Sequence, residues 1–186
     1  MRQLITFNNV TLDGFFTDAG SDMSWAHKQD AEWDEFVAGN ASGGGVLVFG
    51  RTTYDMMAGF WPTSYALQNM PVVAERMNNL PKIVFSRKMA KAAWNNTTLI
   101  KGDIVAAMRK LKQEPGEDMA IMGSGIIVAQ FAAAGLIDEY QLVVNPIVLG
   151  GGRTLFDGLK EKLELRLIKT RAFKNGNVLL CYGPKV

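Results

Sequence analysis

Met119 to Leu136 reads MAIMGSGIIVAQFAAAGL, and this stretch decides which fold the sequence predicts. A short apolar run ends at Gly123-Ser124-Gly125, and a second apolar run follows from Ile126 to Ala134. The pattern predicts a buried strand that enters a helix through a glycine-rich turn. Such a turn directs free N–H groups and the positive end of the helix dipole at one point, where a nucleotide phosphate can bind. The same turn also serves as a tight connection without a ligand, so both interpretations stay open.

A second junction of this kind follows the apolar run Val46 to Phe49, where Gly50-Arg51-Thr52-Thr53 opens a helix. Parallel strands end on one edge of a sheet, so the two junctions are expected to lie together and to face one pyrophosphate. Ser86 and Arg87 stand at the end of the next apolar run and add a hydroxyl and a guanidinium. Arg51 and Arg87 favour a dinucleotide with an additional phosphate, which means NADPH over NADH.

The order of the remaining segments predicts the fold class. Strand-like and helix-like segments alternate, and Leu163 to Phe173 then forms a hairpin with Asn177 to Tyr182 across the turn signal Asn175-Gly176. This order predicts an α/β protein with a mixed, mainly parallel sheet, helices on both faces and an antiparallel C-terminal hairpin. The chain has 186 residues, 48% of them hydrophobic, which suits a single domain over residues 1–186.

Several connections are predicted less sharply. Phe15 to Ser24 has the composition of a loop, Trp25 to Val37 that of a helix, and Gly39 to Gly45 that of a flexible connection. Tyr65 to Leu80 fits a loop or a short helix. The uncharged stretch from Met119 to Ile137 approaches the length of a membrane span, but its glycines favour a strand and a buried helix instead.

Composition excludes several classes of function. The 20 basic and 18 acidic residues are spread along the chain with no basic block, so a nucleic-acid partner is not expected. Cys181 is the single cysteine and His27 the single histidine, so neither a disulfide nor a metal site is predicted. Cys181 is expected to be a small buried hydrophobe, and His27 to be solvated or packed. A reducing cytoplasm fits this use of cysteine.

Motifs along nearly the whole chain resemble the dihydrofolate reductase superfamily. Within it, they resemble the C-terminal reductase domain of the riboflavin-biosynthesis protein RibD. The motifs are Leu12-Asp-Gly14, Val48-Phe-Gly-Arg-Thr-Thr-Tyr54, Ile83-Val-Phe-Ser-Arg87, Ile121-Met-Gly-Ser-Gly125 and Asp138-Glu-Tyr-Gln-Leu-Val-Val-Asn-Pro146 with Gly150-Gly-Gly152. The paired cysteines of the zinc deaminase half are absent. The chain therefore resembles the reductase half standing alone.

The resemblance implies an NADPH-binding cleft in a central eight-stranded sheet. The residues expected to hold the cofactor are Gly50, Arg51, Thr52, Thr53, Ser86, Arg87, Gly123, Ser124, Gly125, Ile126 and Ile127. The segment from Thr11 to Gly20 would correspond to the mobile loop over the nicotinamide. Relatives of this type often dimerise, and the hairpin leaves an exposed sheet edge, so a homodimer is expected.

The resemblance also implies hydride transfer from NADPH to a pterin, folate or pyrimidine-type heterocycle. Asp34 lies nearest to the position of the catalytic carboxylate, and a buried acid there would have the raised pKa that proton donation needs. A solvated helix face is the other interpretation of Asp34. Phe36, Phe60 and Trp61 are candidates to line the substrate pocket, although an aromatic core explains them equally well. The alternative function is a non-catalytic NADP(H)-binding module.

Overall fold

The computed structural model of the chain describes residues 1–26, 30–42 and 45–185. Its strands are β1 (Leu4–Thr11), β2 (Phe15–Thr17), β3 (Val46–Gly50), β4 (Lys82–Phe85), β5 (Thr97–Ile100), β6 (Met119–Met122), β7 (Glu139–Asn145), β8 (Arg153–Thr154), β9 (Leu165–Ala172) and β10 (Val178–Pro184). Its helices are α1 (Ala31–Ser42), α2 (Arg51–Phe60), α3 (Ser64–Asn69), α4 (Pro71–Asn79), α5 (Ile104–Gln113) and α6 (Gly125–Ala133). His27 lies outside the described residues.

The main sheet has the order β5-β4-β3-β6-β1-β7-β10-β9. The six strands from β5 to β7 are parallel, and β10 runs antiparallel to both of its neighbours. The central parallel strands are apolar on both faces because helices cover both sides, as Val46 to Phe49 illustrates. The predicted α/β class, with a mixed, mainly parallel sheet and an antiparallel hairpin, is confirmed.

The core has two sides that the sheet separates. On one side, buried residues such as Val48 and Ile121 pack against Val128 and Phe131 of α6 and Met108 of α5. The other side holds two groups, one around α2 and α4 and one around α1. These two groups share a face because Phe7, which packs with the α1 group, is paired in register with Met122, which packs with the α2 group.

Three connections differ from the sequence prediction. Trp25 belongs to a 3-10 turn, Ser24–Ala26, and α1 begins only at Ala31 because the Asp30 carboxylate caps it by accepting from the Trp33 N–H at 3.1 Å. The helix then continues to Ser42 through most of the predicted flexible connection. The predicted loop after Phe15 contains β2, because the distant β8 supplies a partner strand.

The ambiguous segment from Tyr65 to Leu80 forms two helices, α3 and α4. Pro71 separates them because it fits the first turn of a helix but cannot extend the preceding one. Across the described ranges, no helix combines the length and the apolar character needed to cross a membrane.

Candidate functional site

The two glycine-rich junctions interlock at the carboxyl edge of the sheet. Strand β3 lies between β4 and β6, so Gly50 and Gly123 follow neighbouring strands. The backbone N–H of Gly50 donates to Ser124 Oγ at 2.8 Å. A Cβ atom on Gly123, which has φ +61°, would lie 3.1 Å from Thr53 Cγ2. We call Gly50–Thr53 together with Gly123–Ile126 the junction surface.

Both helices that start at the junction surface begin without a side-chain cap. Gly50 precedes α2 and, being a glycine, has no side chain that could cap the helix. Ser124 precedes α6 in the left-handed conformation, with φ +61° and ψ +51°, and its hydroxyl is engaged by Gly50 and Met122 instead of the helix. Apart from the Ile127 N–H, which donates to the Ser124 carbonyl, the first-turn N–H groups of both helices have no side-chain acceptor among the described residues, as a phosphate site requires.

The guanidinium groups of Arg51 and Arg87 and the hydroxyl group of Ser86 lie around this surface and differ in how far other residues already engage them. Arg51 Nε is 3.3 Å from the Asp55 carboxylate, and both side chains are about half exposed, so this ion pair is weak. Arg87 is exposed at the end of β4 and has no ion pair among the described residues. Ser86 is buried, and its Oγ accepts from the Met89 N–H at 3.1 Å. Ser86 thus shapes its loop, while the two guanidinium groups remain able to reach a ligand.

Ile126 and Ile127 have opposite environments on the first turn of α6. Ile126 is 76% exposed, whereas Ile127 is 5% exposed and lies in the core. The Ile127 N–H donates to the Ser124 carbonyl at 2.9 Å. Of the two side chains, only that of Ile126 is free to contact a ligand at this edge.

The segment after β1 is tied to the glycine-rich loop after β7. The Asp13 carboxylate accepts from Thr11 Oγ1 and from the N–H groups of Leu149 and Gly150. These hydrogen bonds, chiefly the one from Thr11, lower the pKa of Asp13. Gly152 has φ +151°, and a side chain there would collide with the Thr17 carbonyl. The Leu-Asp-Gly and Gly-Gly-Gly motifs are therefore two halves of one connection.

That connection lies against the start of α6. A Cβ atom on Gly125 would be 3.0 Å from the Phe16 ring and 3.3 Å from the Leu155 carbonyl. The predicted mobile loop is thus partly a strand, β2, that packs beside the junction surface. The sequence did not reveal the role of Asp13, although this residue stands only two positions before the strand-like pair Phe15-Phe16.

Asp34 lies on the exposed side of α1. Its backbone N–H donates to the Asp30 carbonyl at 2.8 Å, which is an ordinary helical bond. The neighbouring Trp33 is the residue that faces the sheet and packs against Phe173 at a ring distance of 5.0 Å. The environment of Asp34 is therefore solvent and not the apolar pocket that the resemblance implies for a proton donor.

The three candidate pocket aromatics fall into two separate places. Phe36 lies over β1, with ring centroids 6.5 Å from Phe7 and 5.0 Å from Phe173. Phe60 and Trp61 stand at the end of α2, about 14 Å along the helix axis from Arg51. The Trp61 indole N–H donates to Met57 Sδ at 3.1 Å. Of the three, only Phe36 is thus shown to pack against β1, near the middle of that strand at Phe7.

Two cavities lie beside α1, away from the junction surface. One of about 250 Å³ is lined by residues that include Phe36, Glu139, Lys169 and Cys181. A second of about 320 Å³ is lined by residues that include Glu32 and Arg171. Burial raises the pKa of the Cys181 thiol, so this cysteine is not an activated nucleophile.

Comparison with known proteins agrees with this architecture. The family model described as the RibD C-terminal domain matches residues 2–179. The uncharacterized protein YyaP of Bacillus subtilis (strain 168) is 28% identical over 97% of this chain and 94% of its own length. The relationship therefore covers nearly the full length of both chains.

Solved structures show the same fold. A candidate riboflavin biosynthesis protein from Shewanella sp. PV-4 has a TM-score of 0.75 and 26% identity, with 99% of each chain covered. A dihydrofolate reductase from Enterococcus faecalis, solved in complex with NADP(H) and RAB-propyl, has a TM-score of 0.64 at 12% identity, with 99% of this chain and 97% of that chain covered. At that identity the second likeness shows the fold alone. The chain has a dihydrofolate reductase-like fold and belongs to the RibD C-terminal domain family of reductase-like proteins.

Proposed function

We propose that the protein is an NADPH-dependent reductase that transfers hydride to a pterin, folate or pyrimidine-type heterocycle. One observation carries the proposal: two uncapped helix N-termini are locked together by the Gly50–Ser124 hydrogen bond at one edge of the sheet. Two such N-termini match the two phosphates of a dinucleotide. The family membership supports the reductase class.

The residues at this edge fit the cofactor. Arg51–Thr53 and Gly123–Gly125 would hold the pyrophosphate through backbone N–H groups, and the exposed Ile126 would contact an apolar part of the ligand. Gly50 would bring the two segments together, because its own N–H donates to Ser124 Oγ. Ser86 keeps the β4 loop in place beside Arg87. Bound NADPH would supply a hydride, which together with one proton reduces a C=N bond and leaves NADP⁺.

The exposed guanidinium groups of Arg51 and Arg87 favour NADPH over NADH. Each would form charge-assisted hydrogen bonds to the phosphate on the adenosine ribose, worth roughly 1.5–3 kcal/mol. The weak ion pair of Arg51 with Asp55 is exposed and would exchange for this contact at little cost.

The arginines are tested by isothermal titration of NADPH and NADH. The double variant Arg51→Ala/Arg87→Ala should bind NADPH at least about a hundredfold more weakly and NADH about as before. The double variant Arg109→Ala/Arg166→Ala removes two exposed guanidinium groups elsewhere and serves as the matched control. Equal losses for both cofactors would show that the arginines do not contact the additional phosphate.

Reduction is tested by NADPH oxidation with dihydrofolate, biopterin-like compounds and the aminouracil precursor of riboflavin. Because Asp34 is exposed, solvent supplies the proton as readily as this carboxylate does. Asp34→Asn should therefore lower kcat less than tenfold. A loss of a hundredfold or more, with unchanged NADPH affinity, would instead make Asp34 the proton donor.

A non-catalytic NADP(H)-binding module is the second candidate function. The observation that favours it is the exposure of Asp34, which leaves the expected position of the catalytic acid in solvent. Tight NADPH binding with no oxidation in the presence of any of these acceptors would support this candidate. The absence of any thermal shift with NADPH or NADP⁺ would remove both candidates and leave a purely structural domain.

Assembly into a homodimer is the remaining part of the proposal. Strand β9 lies at the edge of the sheet, and its Leu167 and Ile168 side chains are 54% and 47% exposed. Sedimentation equilibrium of the wild type and of Leu167→Lys/Ile168→Lys measures the assembly. A monomeric wild type would contradict it.

A further inference from the structure

The carboxyl edge of the sheet also contains buried side-chain amides that the cofactor site does not use. Asn145, the last residue of β7, is fully buried. Its Nδ2 donates to Asn9 Oδ1 at 3.1 Å, to the Val143 carbonyl at 3.1 Å and to the Val10 carbonyl at 3.3 Å. Asn145 therefore connects β7 to the end of β1 through one amide group.

The chemistry of these contacts fixes how both amides are oriented. Three oxygen atoms surround Asn145 Nδ2, so the reversed amide would place Oδ1 against two backbone carbonyls and is excluded. Asn9 must then present its oxygen to Asn145, and its NH₂ group must point away. Within the described residues nothing accepts from Asn9 Nδ2, and this atom is not among the buried unpaired ones.

The free NH₂ group lies beside the proposed cofactor site. Asn9 is two residues beyond Phe7, which is paired with Met122 at the end of β6, so Asn9 lies where the chain turns through Gly123. Alternation along β1 puts Asn9 on the same face as Phe7, whose ring faces Phe36. A fixed donor thus stands between the junction surface and an aromatic side chain.

The amides continue onto the next strand. Val178 pairs with Val144, so Asn177 lies next to Asn145 across β7 and β10. Asn177 is fully buried with both amide atoms unpaired, and Asn145 Oδ1 is unpaired as well. Buried unpaired polar atoms lower stability, so stability does not explain the amide of Asn177 or the oxygen of Asn145, although the paired Asn145 Nδ2 does stabilise the sheet.

We infer that Asn9 is a specificity-determining residue whose side-chain NH₂ donates a hydrogen bond to a carbonyl oxygen on a planar ring bound at this edge. Asn145 is the positioning residue that holds Asn9 in this orientation. The inference rests on the proposed function, since that function brings two such rings to the site. The carbonyl belongs either to the nicotinamide carboxamide or to the heterocyclic substrate.

The variant Asn9→Asp tests the donor with little change in shape. One carboxylate oxygen still accepts from Asn145 Nδ2, while the outward NH₂ becomes an acceptor oxygen. Asn69→Asp on the exposed surface of α3 adds the same charge elsewhere and is the control. Asn9→Leu removes the donor without adding charge.

Three sets of ligands distinguish the source of the carbonyl. NADPH contains the nicotinamide, 2′-phospho-ADP-ribose lacks it, and dihydrofolate and the aminouracil precursor represent the substrate. If the nicotinamide is recognised, both Asn9 variants should bind NADPH about tenfold or more weakly and 2′-phospho-ADP-ribose as before. If the heterocycle is recognised, NADPH binding stays unchanged and binding of a heterocycle in the presence of NADP⁺ weakens about tenfold or more. No change for any of these ligands would overturn the inference.

The positioning role of Asn145 is tested by a double-mutant cycle in the same binding assay. Asn145→Leu frees the Asn9 amide to rotate and should weaken the same ligand as Asn9→Leu does. The double variant should be no weaker than Asn9→Leu alone, because the second substitution removes a group that acts only through Asn9. Additive losses would overturn the positioning role.

The failures of the two proposals can be told apart. A wild type that binds no NADPH removes the proposed function and this inference together. A wild type that binds NADPH and a heterocycle, with Asn9 variants that behave identically, removes the inference alone. If Asn145→Leu does not fold, the Asn9 variants still decide the role of the donor, since Asn9 is only partly buried.

Discussion

The carboxyl edge of the sheet has two halves that are built in different ways. Over β3, β4 and β6, glycines and hydroxyl residues bring backbone N–H groups together at the junction surface. Over β1, β7 and β10, the polar groups are the side chains of Asn9, Asn145 and Asn177. We call these the backbone half and the amide half. Short local motifs are thus enough to gather backbone N–H groups at one point, whereas a side-chain donor must be positioned by strands that are far apart in sequence.

The largest expected effect lies in the amide half. Asn145→Ala leaves the Val10 and Val143 carbonyls without their buried donor and should lower the free energy of unfolding by about 3 kcal/mol. Denaturant unfolding measures this, with the exposed Asn69→Ala as control. A loss below about 1 kcal/mol would show that water replaces the amide, and the two halves would then differ less than we propose.

Lys82 is a buried polar residue that lies outside the carboxyl edge of the sheet. We expect its substitution to change stability without changing ligand binding. Its ammonium group donates to the carbonyls of Asn78, Leu80 and Asn95, and burial lowers the pKa of Lys82 to about 8. The unfolded chain, with its usual lysine pKa of 10.5, binds more protons between those values. Stability should therefore rise from pH 8 to pH 10.5, on the order of 2 kcal/mol.

The matching variant is Lys82→Met, which should lack this rise in stability while keeping NADPH affinity. Chemical denaturation at several pH values compares the slopes of the two proteins. If the unfolding free energies of both proteins changed with pH in parallel, the hydrogen bonds from Lys82 to the three carbonyls would offset the cost of burying its charge.

Gly123→Ala should separate ligand binding from backbone strain in the backbone half. Gly123 has φ +61° and faces Thr53, whereas Gly135 has φ +64° with open space around it. Both alanine variants should lose about 1–2 kcal/mol of stability because of the left-handed backbone. Only Gly123→Ala should also weaken NADPH binding, by about tenfold, because Thr53 must move. Equal NADPH affinities would remove the link between this contact and the cofactor site.

The smallest expected effect is at Glu32, where α1 meets the hairpin beside the amide half. The hydrogen bond from Arg171 is the main cause that lowers the pKa of Glu32, and the Lys174 N–H adds to it. A lowered pKa contributes stability above the usual value of 4.5 that is lost as pH falls through the folded value. In a plot of unfolding free energy against pH, the acid limb is the loss of stability below pH 4.5. This loss should be slightly smaller for Glu32→Gln than for the control Glu75→Gln. Identical acid limbs would mean that solvent screens this exposed pair.

Much of the backbone half was predictable because its signals are local. Gly50, Gly123 and Gly125 each stand directly between an apolar run and a helix, and the structure brings these junctions together on neighbouring strands. The fold class followed from the same alternation of elements. For Asp34 the sequence left open a buried acid and a solvated helix face, and the structure puts it on the exposed side because Trp33 is the residue of α1 that packs against Phe173.

The amide half could not be predicted because nothing near Asn9 in the sequence points to Asn145, and the two residues meet only through the register of β1 with β7. In the same way, β2 forms only because the distant strand β8 pairs with it. Phe60 lies away from the junction surface because it is at the far end of α2, whose first residue is Arg51. The sequence by itself determined the strand–glycine–helix junctions, since short-range sterics and hydrophobic patterning set them. Tertiary structure alone decided how the side-chain donors at the carboxyl edge are oriented, because the orientation of an amide depends on partners that only the assembled sheet supplies.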